Sequence, residues 1–202
     1  MVLVFFCVSG VLDGLGRHPS ITTREDEPEA TRSLELDTHL FAQTIEPFPG
    51  VLVVVANDWP FFYDLDVLRQ ECAPFGRRIV NAARLLGDTK EEAVHAFMAT
   101  RPDPCIVVSS TDFEFSKMTE ARRVDVSPRN GFDKQAAARL LSLLNSLGDD
   151  AKRPVSRDEL LRASVGPQLL RRVEQYAGTL RAASDSKFQH RLAEMLSRTR
   201  IE

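Results

Sequence analysis

The run "VLVFFCVSGVLD", residues 2–13, decides how the rest of the chain is read. Val2–Val8 is an unbroken apolar stretch with two adjacent phenylalanines. A strand that alternated between core and water would interpose polar residues, so this pattern belongs to a strand covered on both faces. Gly10 breaks the run, and Gly14 and Gly16 follow. Strand ends followed by glycine turns are where α/β proteins place their chemistry. Here Cys7 and Ser9, the residues at that end, carry no charge.

The same two-face pattern recurs. Val51–Ala56 and Cys105–Ser110 are further buried apolar strands, and Arg78–Asn81 and Arg123–Val126 are shorter extended segments. Amphipathic segments alternate with them. Ser33–Ile45 places Leu34, Leu36, Leu40, Phe41 and Ile45 along one helical face. Leu65, Leu68 and Cys72 mark a helix within residues 64–73, with Gly76 as its stop. Thr89–Ala99 reads as a helix with Asp88 as N-cap and Val94, Phe97 and Met98 inward. Asp133 caps a helix through Leu147, with Leu140, Leu141 and Leu144 inward and Gly148 at its end. Strands alternating with helices predict an α/β fold of the Rossmann-like kind: a parallel sheet with helices on both faces. In such sheets ligands sit at the carboxyl ends of the strands.

Charge divides the chain. Its 202 residues carry a net charge of −3, with +5 from Ala151 to the end and −8 before it. That places a junction near residue 150: an α/β domain over 1–148 and a helical C-terminal extension over 149–202. In this reading "DDAKRP" is a linker. Ser156 with Glu159 is a capping box, and the Leu169–Leu180 and Phe188–Leu196 segments are amphipathic helices. Three unclustered cysteines argue against a disulfide framework and a zinc site, and fit reduced thiols in a cytoplasmic protein. Residues 1–12 lack the basic start and cleavage pattern of a secretory signal, and are too short to span a bilayer. The polar stretch at 17–32 has no periodicity and reads as a loop.

At the strand ends the chain resembles the haloacid dehalogenase superfamily, most of whose members are phosphatases. "FFCVSGVLD" (5–13) follows the frame of a first motif of the type "hFhDVDGVLN". "VVVANDW" (53–59) is similar to a second segment of the type "SSSWR", with Trp59 in register. "IVVSSTDFEF" (106–115) stands where the family has a strand ending in paired aspartates. "VDVSPRNGF" (124–132) resembles its "VDPRTGL" turn. The likeness covers residues 1–147.

The resemblance implies roles that the residues themselves contradict. The family's nucleophilic aspartate, which also holds Mg²⁺, falls on Cys7, and its general acid/base on Ser9. The paired aspartates fall on Ser109 and Ser110, and the phosphoryl-contacting Ser/Thr on Ala56 or Asn57. Lys90 matches the basic residue of the third motif. Mg²⁺ takes hard anionic oxygen, which serines and a thiol do not supply. A serine hydroxyl does not protonate a leaving group near neutral pH. Cys7 would be a nucleophile only with a lowered pKa; otherwise it is a small buried hydrophobe.

The expectation is therefore a catalytically degenerate domain acting as a binding or regulatory module, without a cofactor. Gly10, Asp13, Asp58, Trp59 and Asp112 are its candidate ligand-binding residues. The amides around Gly10 suit a small anion. Asp13 and Asp58 would rebuild a different metal site, Asp112 would replace a lost carboxylate, and Trp59 reads as packing or a lid before it reads as a ligand-stacking ring. The alternative is a phosphohydrolase with a non-standard site, which would need Mg²⁺. A third reading is a nucleic-acid-associated accessory protein, drawn from Arg171, Arg172, Arg181, Lys187, Arg191, Arg198 and Arg200. Sparse aromatic residues among them favour a solvated face instead. The C-terminal helices are read as a surface for a protein partner or for self-association.

Overall fold

The computed structural model describes residues 1–8, 30–57, 59–61, 63–72, 74–83, 89–109, 114–126 and 131–166, with backbone alone for 30–37. Five strands form one all-parallel sheet: β1 (Val2–Phe6), β2 (Val51–Val55), β3 (Ile79–Ala82), β4 (Cys105–Ser109) and β5 (Arg123–Asp125). Their order is β3-β2-β1-β4-β5. β1 lies in the centre, with Val2 opposite Val51 and Leu3 opposite Cys105.

The period of two in a strand sorts β1 between two cores. Val2, Val4, Phe6 and Val8 enter one core with Val51, Val53 and Val55; Leu3, Phe5 and Cys7 enter the other with Leu52 and Val54. The first core is closed by α1 (Ala30–Ile45), α2 (Leu65–Glu71) and α4 (Lys134–Ser146), through Phe41, Ile45, Leu68, Leu140 and Leu144. The second is closed by α3 (Lys90–Met98), through Val94 and Phe97, and by Ala163 of α6 (Arg157–Ser164). Helices on both faces explain why β1 tolerates no polar side chain.

Two helix details differ from the sequence reading. The N-cap of α3 is Thr89, whose hydroxyl accepts from the Glu92 amide at 3.2 Å, rather than Asp88. In α4 the buried stripe is Ala136, Ala137, Leu140 and Leu144, while Leu141 is 37% exposed. At 100° per residue Leu141 lies beyond the edge of the stripe that Leu140 and Leu144 define.

The compact unit runs from Met1 to Val165. Residues 149–153 are not a free connector. They form α5 (Asp149–Lys152), whose Ala151 is fully buried and accepts from the Gly50 amide at 2.8 Å. A Cβ on Gly50 would lie 2.3 Å from the Asp150 carbonyl oxygen, so this approach requires glycine.

The capping box of α6 is formed as read: Ser156 Oγ accepts from the Glu159 amide and Glu159 accepts from the Ser156 amide. Its other end is held by the body of the unit. Asn81 Nδ2 donates to the carbonyls of Ala163 (3.1 Å) and Ser164 (3.0 Å). Arg101 donates to those of Arg162 and Val165. All four carbonyls over 162–165 thus gain side-chain donors from β3 and from the residues after α3. The expected helices over 169–180 and 188–196 lie outside the described residues. Among the described residues no helix is long and apolar enough to cross a membrane.

Candidate functional site

The chain passes from β1 to β2 and β3 on one side of the sheet, then crosses to β4 and β5 on the other. The crevice where the direction reverses lies between the carboxyl ends of β1 and β4, the place where open α/β sheets take ligands. Cys7 follows β1, and Ser109 ends β4. The Cys7 amide donates to Val108 at 2.8 Å, so the two ends are joined by backbone.

Asn57 stands two residues beyond β2. Its Nδ2 donates to the Val8 carbonyl at 2.7 Å, and its Oδ1 accepts from the Trp59 amide at 3.1 Å. Both halves of the buried amide are used in holding the turn after β2 against the exit of β1. Trp59 is 4% exposed, its ring 5.6 Å from that of Phe6. It packs into the first core.

The charge at this end comes from the other face. Lys90, the first residue of α3, is 6% exposed, and its Nζ lies 3.5 Å from Oε2 of Glu114. Glu114 follows β4 on a segment fastened to the same helix. The carboxylate of Glu91 accepts from the Ser116 amide and from Ser116 Oγ, both at 2.9 Å. Glu114 escaped the sequence reading because it lies in a loop without periodicity, beside the more conspicuous Asp112.

Cys7 feels both members of the pair. Burial pushes its thiol up to about 12; Lys90 pulls it down and Glu114 opposes Lys90. The thiol is therefore neutral near pH 7, and a neutral thiol is a poor nucleophile. Nor do these residues suit a hard divalent cation, which takes carboxylate oxygens. Cys7, Asn57 and Ser109 offer a thiol, an amide and a hydroxyl, and Glu114 is engaged by Lys90. Among the described residues no three His, Cys, Asp or Glu side chains come together as a metal site.

The structure thus brings Cys7, Asn57, Ser109 and Lys90 to the carboxyl end of the sheet. Ser9, Gly10, Asp13, Asp58, Ser110 and Asp112 lie outside the described residues.

The buried thiols carry a pH signature. Cys7 and Cys72 are each raised from 9.0 to about 12 in the fold. The unfolded chain releases these protons first. Their stabilising contribution is thus complete below pH 9 and is lost as pH rises towards 12. Between pH 9 and 10.5 the loss of stability per thiol steepens from half of its limiting slope towards the full value of about 1.4 kcal/mol per pH unit. Cys7→Ala is expected to make the fall in stability with pH shallower by one such share. Urea denaturation across this interval measures it, and an unchanged slope contradicts the burial of the thiol.

Comparison with protein-family models, curated proteins and solved structures finds no match for this chain.

Proposed function

We propose that this chain is a haloacid-dehalogenase-like domain that has lost its hydrolytic machinery. It serves as a binding or regulatory module whose ligand is a small anion held at the strand ends. The observation that carries the reading is the exchange of chemistry at the sheet's carboxyl end. Where phosphoryl transfer needs carboxylates, the chain has a protonated thiol, a clamping amide and a serine, while one buried lysine remains. A lysine binds phosphate or carboxylate as a point charge without any metal. Its place at the start of a nine-residue helix adds the field of the helix N-terminus. In this reading the basic C-terminal segment supplies contacts to a protein partner or to a second copy.

The test is hydrolysis of p-nitrophenyl phosphate by the full chain, with and without Mg²⁺, beside Cys7→Ala. Equal background rates in all four reactions are expected. Mg²⁺-dependent turnover would overturn the proposal in favour of a phosphohydrolase, and its loss in Cys7→Ala would make Cys7 the nucleophile.

A further inference from the structure

Glu114 faces Lys90 in an incomplete pair. The separation of 3.5 Å exceeds the roughly 2.7–2.9 Å of a charge-assisted hydrogen bond. Oε2, the oxygen nearest the ammonium, is buried and takes no hydrogen bond among the described residues. A buried carboxylate oxygen held by attraction alone has lost water without regaining a donor, a costly state. The backbone beside it is fixed independently. Phe115 is buried in the second core, and Ser116 is bound by Glu91. Rotation of the Glu114 side chain alone would release the pair, leaving the segment in place.

We propose that Glu114 is an intrachain competitor for the anion site, occupying Lys90 until a phosphate-type ligand displaces it. The inference rests on the binding role assigned above to Lys90 and adds its regulation. To an ammonium group, a side-chain carboxylate and a phosphate oxygen are equivalent partners. The resident carboxylate therefore lowers the apparent affinity for the incoming one by the share of time it holds the site. Moved outward, Glu114 recovers its hydration, which favours the exchange.

The probe is inorganic phosphate, titrated calorimetrically into the full chain. Glu114→Gln is expected to tighten phosphate binding about tenfold or more, the equivalent of about 1.4 kcal/mol. Lys90→Met is expected to abolish it. Glu114→Asp, which keeps the charge but withdraws it by one methylene, should tighten binding by less than Gln. It carries the test if Glu114→Gln does not fold. Equal affinity in wild type and Glu114 variants overturns the competitor role while leaving the anion site standing. Failure of all the Glu114 forms to bind, or undiminished binding by Lys90→Met, removes the site itself and the inference with it.

Discussion

Arg101→Met is expected to cost about 3–5 kcal/mol of folding stability, the range for removing one partner from a buried charged cluster. For a domain of this size that lowers the melting temperature by on the order of 10 °C. Arg101 is 7% exposed and works as a cap for two helices at once. Nη1 donates to Phe97 in the last turn of α3, and Nη2 donates to Val165 and, at 3.3 Å, to Arg162 at the end of α6. Its guanidinium carbon sits 3.9 Å from the centre of the Phe97 ring. Asp103, bound at 2.9 Å by Arg162, supplies a nearby negative charge.

Methionine keeps the volume of the stem and removes every donor, so buried carbonyls of two helices lose partners at one stroke. Lysine is a point charge without the planar fork, so Arg101→Lys should recover less than half of the loss. Thermal melts of the three proteins decide the point. A Met variant within 2 °C of wild type (an allowance of about 1 kcal/mol at most) would show that α6 is held by its apolar contacts instead.

This arginine also marks the limit of what was legible. The strands were readable because burial on both faces forces a continuous apolar run, and β1, β2 and β4 each have one. The helices were readable where large side chains repeat along one face, as in α1 and α4. The docking of α5 and α6 was not, because it is made by small residues and polar clamps. Ala151 and Ala163 give no periodic signal, Asn81 looks like the polar end of a short extended segment, and Arg101 looks like a solvated residue between elements. The linker assigned to 149–154 failed for that reason.

The site divides the same way. Cys7, Asn57 and Ser109 follow from the rule that strand ends meet at one edge of a parallel sheet, whereas Lys90 follows only from the resemblance to the third motif. Glu114 follows from neither, since no periodic pattern ties it to the helix that carries Lys90, and only the folded chain sets the two side chains 3.5 Å apart.

Phe41→Ala is expected to cost about 3–5 kcal/mol, the range for a buried phenylalanine cut to alanine in a core that cannot collapse around the gap. Phe41 is fully buried on α1 and touches three other rings. Its centroid lies 5.2 Å from Phe6, 4.9 Å from Phe75 and 5.3 Å from Phe132, the last two edge-on. Those partners come from β1, from the segment before β3 and from the segment before α4, so no single element can move in to fill the space. Phe41→Leu retains most of the apolar area and should cost about half as much.

The same cluster reaches the site. Phe6 accepts the Ala56 amide at 2.9 Å and carries Trp59 against its ring, and Asn57 lies between those two contacts in the chain. Trp59 is the single tryptophan of the sequence, so its emission reports on this turn alone. In folded Phe41→Ala the emission is expected to shift to the red, as the ring loses its support and meets water, and Phe41→Leu should leave it in place. A large loss of stability without that shift would confine the damage to α1 and separate the aromatic core from the strand-end site.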